Sequence, residues 1–238
     1  MEGNIVTKIE KLKAWILESK TLVIFTGAGI STPSGIPDFR SSMDHSFEKI
    51  LNYGYMIKNK DEFTKYVFSK LFYKDAKPSL GHIFFKELED KGYVTSLVTQ
   101  NIDDLHQIAG QKKVYPIHGS IHKWYCMECE RSYDPLKLDH DKANYCKCGG
   151  FIRPDVTLYG EPLDEAYYHL GLTACQVADT LIVVGSSLSV NPAASMIRYY
   201  AGSRLVIINK DKTRYDKFAD LVFHEDIVSV ITKLKEIE

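Results

Sequence analysis

The chemistry available to this chain is concentrated where short apolar runs stop. The run 22–25 gives way to Thr26-Gly27-Ala28-Gly29-Ile30-Ser31, and the run 93–98 to Thr99-Gln100-Asn101-Ile102-Asp103. The run 114–117 is followed by His118-Gly119, the run 181–184 by Gly185-Ser186-Ser187, and the run 205–208 by Asn209. Turn residues follow strands in any protein, but five endings that mix glycine, amide, hydroxyl, carboxylate and imidazole go beyond loop chemistry. Gly27 and Gly29 after a strand would let a phosphate approach the backbone closely. A dinucleotide fingerprint wants a third glycine where Thr32 stands, and Gly35 and Pro37 interrupt any helix within about two turns. A loop that folds over a ligand, with Asp38, Phe39 and Arg40 at its start, fits this stretch better than an ordinary dehydrogenase turn. His118, at a run's end and followed by a permissive glycine, has the side chain whose ordinary pKa suits a general base near neutrality.

A second cluster is sulfur. Four of the five cysteines fall as Cys126-x2-Cys129 and Cys146-x-Cys148, with Cys175 apart. Pairs that close, in a chain without a secretory segment, read as a metal site in a reducing compartment and not as a disulfide framework. Four thiolates around tetrahedral zinc leave no open position, so such a metal is expected to be structural. Cys175 is expected to be a buried small hydrophobe.

These residues have to be positioned by the elements between them. The apolar runs are near-continuous, which is the pattern of parallel strands covered on both faces. Helical stretches intervene, one from Asn191 as N-cap through Pro192 and Met196 to Gly202, and one closing the chain on Ile227, Val230, Ile231 and Leu234. Alternation of this kind predicts an α/β layered fold, whose strands present their carboxyl ends, and hence the residues above, along one edge. Two stretches break the pattern: 41–80, read as a helical insert, and 119–152, read as a small metal-binding domain. The sheet domain then comprises 1–40, 81–118 and 153–238.

Composition narrows the partners. The 238 residues are 45% apolar and 26% charged, ordinary for a globular protein. Lys and Arg number 30 against 31 Asp and Glu, a net charge of −1, and a nucleic-acid partner needs a basic surplus. No apolar run approaches the ~20 residues that cross a bilayer. Ile5, Ile9, Leu12 and Ile16 lie at helical spacing with charges between them, an amphipathic helix and not a signal peptide. A cytoplasmic monomer without nucleic-acid or membrane partners is expected.

Together, GAGISTPSGIPDFRSS (27–42), QNIDDLH (100–106), HG (118–119), RPDVTLYGE (153–161), GSSLSVNPAA (185–194) and IN (208–209) resemble the sirtuin family, in the family's motif order and over nearly the whole chain. The resemblance implies an α/β fold with a Rossmann-like parallel sheet, a small zinc-ribbon domain and a helical insert. It also implies an NAD-dependent protein lysine deacetylase acting on acetylated lysine in proteins or peptides, with NAD as co-substrate and Zn2+ as structural metal. In that family the acyl-lysine carbonyl oxygen attacks C1′ of the nicotinamide ribose and nicotinamide leaves. A general base then helps a ribose hydroxyl attack the imidate carbon, giving free lysine and O-acyl-ADP-ribose.

Carried over by position, His118 matches the base, and Asn101 and Gln100 match groups for an ordered water and ribose hydroxyls. Asp103 and Ile102 match the residues that hold the carboxamide, although Asp103 or Asp104 would equally cap the short helix before Gly110. Phe39 matches the aromatic that shields the ribose face, and Arg40 a phosphate contact. Ala28 and Thr32 match the pyrophosphate and ribose loop, Ser186 and Ser187 a phosphate or ribose contact, and Asn209 the adenosine ribose. Asp226 and Ile227 match the adenine side, with Asp226 equally suited to capping the last helix. Val156, Leu158, Tyr159, Ser189 and Val190 correspond to two edges between which a peptide adds as a strand.

The chain departs from the family twice. Asp104 stands where the family usually has glycine, and Cys146-x-Cys148 has one intervening residue where the family usually has two. The shorter spacing leaves His140 or His122 open as a substitute for one of the ligands Cys126, Cys129, Cys146 and Cys148. Two other functions use the same pocket: protein mono-ADP-ribosyl transfer, and sensing of NAD or O-acyl-ADP-ribose without turnover. The Tyr-x-x-Arg pair of sirtuins that prefer malonyl or succinyl lysine is missing, because no arginine occurs between Arg40 and Arg131. Phe47, Leu51, Tyr55, Met56 and Ile57 are expected to form an apolar wall for an acetyl or longer hydrocarbon chain.

Overall fold

Near-continuous apolar runs demand cover on both faces, and the fold supplies it. A computed structural model describes residues 2–38 and 46–236. Its strands, in chain order, begin with β1 (Leu22–Thr26), β2 (Val94–Thr99) and β3 (Val114–Pro116). Next come β4 (Gly119–Cys126), β5 (Ser132–Tyr133), β6 (Asn144–Tyr145) and β7 (Phe151–Val156), then β8 (Thr180–Val184), β9 (Arg204–Ile208) and β10 (Leu221–Phe223). The helices are α1 (Glu2–Glu18), α2 (Ser46–Ile50), α3 (Tyr53–Lys58), α4 (Lys60–Lys70), α5 (Leu80–Asp90), α6 (Leu105–Ile108), α7 (Glu165–Val177) and α8 (Ile227–Glu236).

Six strands form one parallel sheet in the order β10-β9-β8-β1-β2-β3. Side chains alternate between its faces. Leu22 and Ile24 of β1, with Ile182, Val184, Val206 and Ile208, meet α1, α5 and α8 on one face. Val23 and Phe25, with Leu181, Val183, Leu205 and Ile207, meet Cys175 of α7 and the segment 193–197 on the other. The amphipathic faces are the ones the sequence indicates: Ile9, Leu12 and Ile16 of α1 and Ile227, Val230, Ile231 and Leu234 of α8 are buried. Each such side chain contributes about 1.5–3 kcal/mol when fully buried. The segment after Pro192 differs from the expected helix. It is a 3-10 helix, Ala193–Tyr199, closed by i to i+3 bonds such as Ser195 N–H to Pro192 O, and no Asn191 side chain caps it.

Strands β5-β4-β7-β6 form a separate antiparallel sheet. β7 runs across position 153, so this sheet takes in residues that the sequence assigns to the large domain. The helices α2, α3 and α4 and the cysteine-bearing sheet are not independent additions. Met56, Phe63, Val67 and Leu71 share one buried cluster with Ile121, Trp124, Cys126, Cys146, Phe151 and Leu158. The Phe68 ring stacks on Trp124 at 4.7 Å and on His140 at 3.8 Å, which closes the contact between the two. Among the described residues, no helix is long and apolar enough to cross a membrane.

Candidate active site

The six parallel strands end along one edge, and the chain order reverses there. From β1 it continues to β2 and β3 on one side and later to β8, β9 and β10 on the other. A cleft of about 550 Å³ opens at this point, where open α/β sheets bind ligands. Its floor is a close approach of two loops. Gly27 N–H donates to Val184 O at 3.0 Å and Gly29 N–H to Gly185 O at 2.8 Å. A Cβ at Gly29 would fall 2.6 Å from Gly185 Cα, so only glycine fits. After Gly27 the chain makes two short 3-10 turns, Ala28–Ile30 and Thr32–Ser34, and Gly35 (φ +83) ends the second.

Ala28, Thr32, Gln100, Asn101, Ile102, Asp103, His118, Ser186, Ser187, Asn209, Asp226 and Ile227 all line this cleft. So do Val156, Leu158, Tyr159 and Val190. Ser189 is not among the lining residues, and its hydroxyl lies 2.8 Å from that of Ser187. Phe39 and Arg40 fall outside the described residues.

His118 is held on both sides. Its carbonyl accepts Thr157 N–H at 3.0 Å, and its Nδ1 lies 2.8 Å from Gln100 O. A carbonyl can only accept, so Nδ1 carries the proton and Nε2 keeps the lone pair that a base needs. Behind it, Asn101 Nδ2 donates to Gly27 O (3.1 Å) and to Ser31 Oγ (3.0 Å), and Ser31 in turn donates to Asp103 Oδ2 at 2.7 Å. Burial pushes the Asp103 carboxyl up, while its bonds from Ser31 and from Leu105 N–H pull it down. Asp103 therefore caps α6 and faces the cleft at once, and Asp226, which accepts Ser229 N–H at 2.9 Å, does the same for α8.

Ser31 carries no signal in the sequence that marks it as part of the site, and neither does the buried pair behind it. Ser79 N–H donates to His82 Nδ1, which leaves the Nε2 proton facing Ser31 Oγ at 3.5 Å. His106 Nδ1 donates to Gln111 Oε1 at 2.5 Å, and its Nε2 meets Thr26 Oγ at 3.0 Å. Thr26 contacts Thr99, whose hydroxyl accepts Asn101 N–H. Burial pushes His106 down to about 4, and burial with the neighbouring His106 pushes His82 down to about 2. Both rings are uncharged at neutral pH. The Ser79-x-x-His82 spacing at the start of α5 is a legible capping signal for His82, though not for its place behind the site.

The far wall is braced by ionic bonds. Arg153, 2% exposed, binds Glu161 through Nη1 (2.6 Å) and Nη2 (2.8 Å), and Nη2 also donates to Val156 O. The N–H groups of Thr157, Leu158 and Tyr159 are taken by His118 O, Glu161 Oε2 and Leu51 O. Phe47, Leu51 and Leu71 supply the apolar side of the cleft. Met56 is instead in the core, Ile57 is exposed, and the Tyr55 hydroxyl turns to Glu62 on the surface, so the expected wall is narrower than its five residues and gains Leu71.

The residues fit the groups that the resemblance implies. The Gly27, Gly29 and Gly185 backbone leaves room a Cβ would fill, and Gln100 Nε2 is buried without a partner among the described residues, a donor suited to a ribose hydroxyl. The Sγ atoms of Cys126, Cys129, Cys146 and Cys148 all lie within 4.8 Å of one another, with Cys126–Cys148 at 3.5 Å and Cys129–Cys146 at 3.6 Å. Zinc–sulfur bonds of about 2.3 Å require tetrahedral edges of about 3.8 Å. The one-residue spacing thus still delivers four thiols, while His140 stacks on Phe68 and His122 packs near Phe72. Burial pushes the Cys175 thiol up to about 12, as for an inert core residue.

The model of the Sir2 family matches residues 27–192. An NAD-dependent protein deacetylase of Clostridium acetobutylicum is 43% identical over 236 residues, covering 94% of this chain and 96% of its own. One from Staphylococcus aureus is 41% identical over 236 residues, covering 95% and 97%. A solved structure of Sir2 with p53 peptide and NAD+ superposes with a TM-score of 0.89 at 34% identity, covering 96% of this chain and 97% of its own. Sir2Tm bound to a propionylated peptide gives 0.88 at 36% identity, covering 96% and 98%.

This geometry has two measurable consequences. Below pH 6.5 the unfolded chain protonates histidines that His106 (to about 4) and His82 (to about 2) keep neutral when folded. Stability is therefore complete above pH 6.5 and falls on acidification, by about 1.4 kcal/mol per pH unit for each ring. Urea titrations between pH 7 and 4.5 measure the slope, and a His106→Asn variant should show a shallower one. Stripping metal with a chelator should expose Trp124, which packs beside the thiols, and shift its fluorescence; fully folded protein holding under about half an equivalent of zinc would contradict the structural role.

Proposed function

This chain belongs to the Sir2 family, and from that premise we propose that it is an NAD-dependent protein lysine deacetylase, which transfers the acetyl group of an acetylated lysine to ADP-ribose and releases nicotinamide and O-acetyl-ADP-ribose. The observation that carries the reading is His118: its Nδ1 proton goes to Gln100 O inside the cleft, which puts the basic lone pair on Nε2 in a cleft that Gln100 and Asn101 also line. NAD, when bound, supplies an electrophilic ribose carbon and accepts the acetyl group. His118 takes the proton of a ribose hydroxyl at Nε2. Gln100 offers its amide N–H to a ribose oxygen while Ser186 fixes its Oε1 at 2.8 Å. Asn101 is held by Gly27 and Ser31, and it brings no fixed charge near a developing cation. Asp103 and Ile102 receive the carboxamide. Ala28, Thr32, Ser186 and Ser187 meet the phosphates and ribose, and Asn209, Asp226 and Ile227 the adenosine end. The four cysteines hold a structural zinc.

The substrate is an acetylated lysine in a protein or peptide. Because the N–H groups of Thr157, Leu158, Tyr159 and Glu161 are already spent within the chain, a peptide main chain pairs at Gly160, across the cleft from Val190. Most of the affinity then comes from backbone bonds, with modest sequence selectivity. The apolar side of Phe47, Leu51 and Leu71 suits an acyl methyl and favours deacetylation over mono-ADP-ribosyl transfer, which does not need it. The reading includes a cytoplasmic monomer. Free thiols gathered for a metal suit a reducing compartment, and the large sheet ends on strands of three residues, too short to recruit another sheet.

Mass spectrometry of acetylated peptide with NAD tests the reading by its products. His118→Ala should lower deacetylation by ~10²–10⁴ while leaving NAD affinity and thermal stability close to the parent, and nicotinamide exchange should fall less. Near-parental turnover would remove His118 from its role. Matched peptides at saturating NAD should give kcat/KM at least roughly tenfold higher for acetyl than for succinyl lysine, since no arginine is present in the insert to pair a buried carboxylate.

A further inference from the structure

Asp104 adopts a backbone conformation that glycine enters freely, with φ +56. Aspartate tolerates this region better than most residues, though still at some strain. What it adds over glycine is a carboxylate with partners. Ser120 Oγ–H donates to Asp104 Oδ2 at 2.5 Å, and Gln107 Nε2 approaches Oδ1 at 3.4 Å. Ser120 is buried on β4, and its oxygen also accepts His122 N–H at 3.1 Å. Next to this bond, Ile121 N–H donates to Ile102 O at 2.8 Å. The loop 102–104 is thus pinned to the first residues of β4 by two bonds, one through a side chain and one through the main chain. Ile102 and Asp103 face the cleft from the same loop.

We propose that Asp104 is a positioning residue for NAD, clamping Ile102 and Asp103 against β4 so that the cofactor loop takes its register from the cysteine-bearing sheet. The proposal rests on the NAD-dependent reading above. A hydrogen bond to an ionised acceptor is among the stronger ones a half-buried loop can make. Glycine at this position would keep the backbone path and lose the side-chain half of the clamp, leaving the loop held to β4 by the Ile121 N–H to Ile102 O bond alone and Asp103 tied by Ser31 and Leu105.

Calorimetric titration of the full chain with NAD reads the clamp without turnover. Asp104→Gly and Ser120→Ala should each weaken NAD binding about three- to tenfold, and the double variant no more than the stronger single, because both remove one bond. Asp104→Asn keeps an acceptor and should stay within about twofold of the parent. KM for the acetylated peptide and the thermal midpoint of Asp104→Gly should stay near parental values, which separates positioning from general loosening. Parental NAD affinity in Asp104→Gly, or single effects that multiply in the double variant, would overturn the clamp. A parent chain that binds NAD but does not deacetylate would count against the reaction only, and one that binds no NAD would overturn both.

Discussion

The site depends on two loops meeting without side chains between them. Gly27 and Gly29 follow β1 and donate to Val184 O (3.0 Å) and Gly185 O (2.8 Å) at the end of the adjacent β8, and a Cβ on Gly27, Gly29 or Gly185 would collide there. Because β1 is central in the sheet, this contact sets the floor against which the neighbouring strand ends are referenced. Asn101, following β2, reads it by donating to Gly27 O. Ser186, one residue beyond the contact, reads it by holding Gln100. His118 is tied to the same frame through Gln100 O. The geometry of the cleft is therefore set by backbone packing at its floor.

Over that floor lies a layer of polar bonds. Ser31 collects Asn101, Asp103 and His82, and Thr26 and Thr99 pass the same connection to His106. Such networks are strong when every member is satisfied and expensive when one is not. Here two imidazoles stay uncharged because burial prevents their protonation, so the Asp103 carboxylate keeps its hydrogen bonds without a competing cation at its back.

Much of this is legible in the sequence because its signals are local. A run such as 181–184 announces a covered strand by itself, and Gly185-Ser186 announces the loop that lines the cleft at its end. The cleft residues spread from Ala28 to Ile227 converge because parallel strands share a direction, which the runs also imply. Buried polar partners are less legible: the letters mark His82 as a cap and Arg153 as part of a motif, but not that both side chains are buried, since burial is decided by what packs over them. The union of residues 46–71 with 121–158 is invisible for the same reason, as hydrophobic periodicity describes one element and not its neighbour across the fold. The 3-10 winding after Pro192 and the turn of Tyr55 to the surface are smaller cases, where tertiary contacts override local preference.

The shared core also bears on how such a chain can diversify. Leu71 and Leu158 show one side to the cleft and the other to the cluster around Trp124 and Cys126, and Ile102 and Val156 pack against that cluster too. Reshaping this apolar side of the cleft therefore disturbs packing shared with the four thiols. Interiors tolerate such changes best when total volume is conserved. Substitutions along this wall are accordingly best tolerated in compensating pairs that join the helical segment to the cysteine-bearing sheet, so that the cleft changes shape by coordinated steps and not by single replacements.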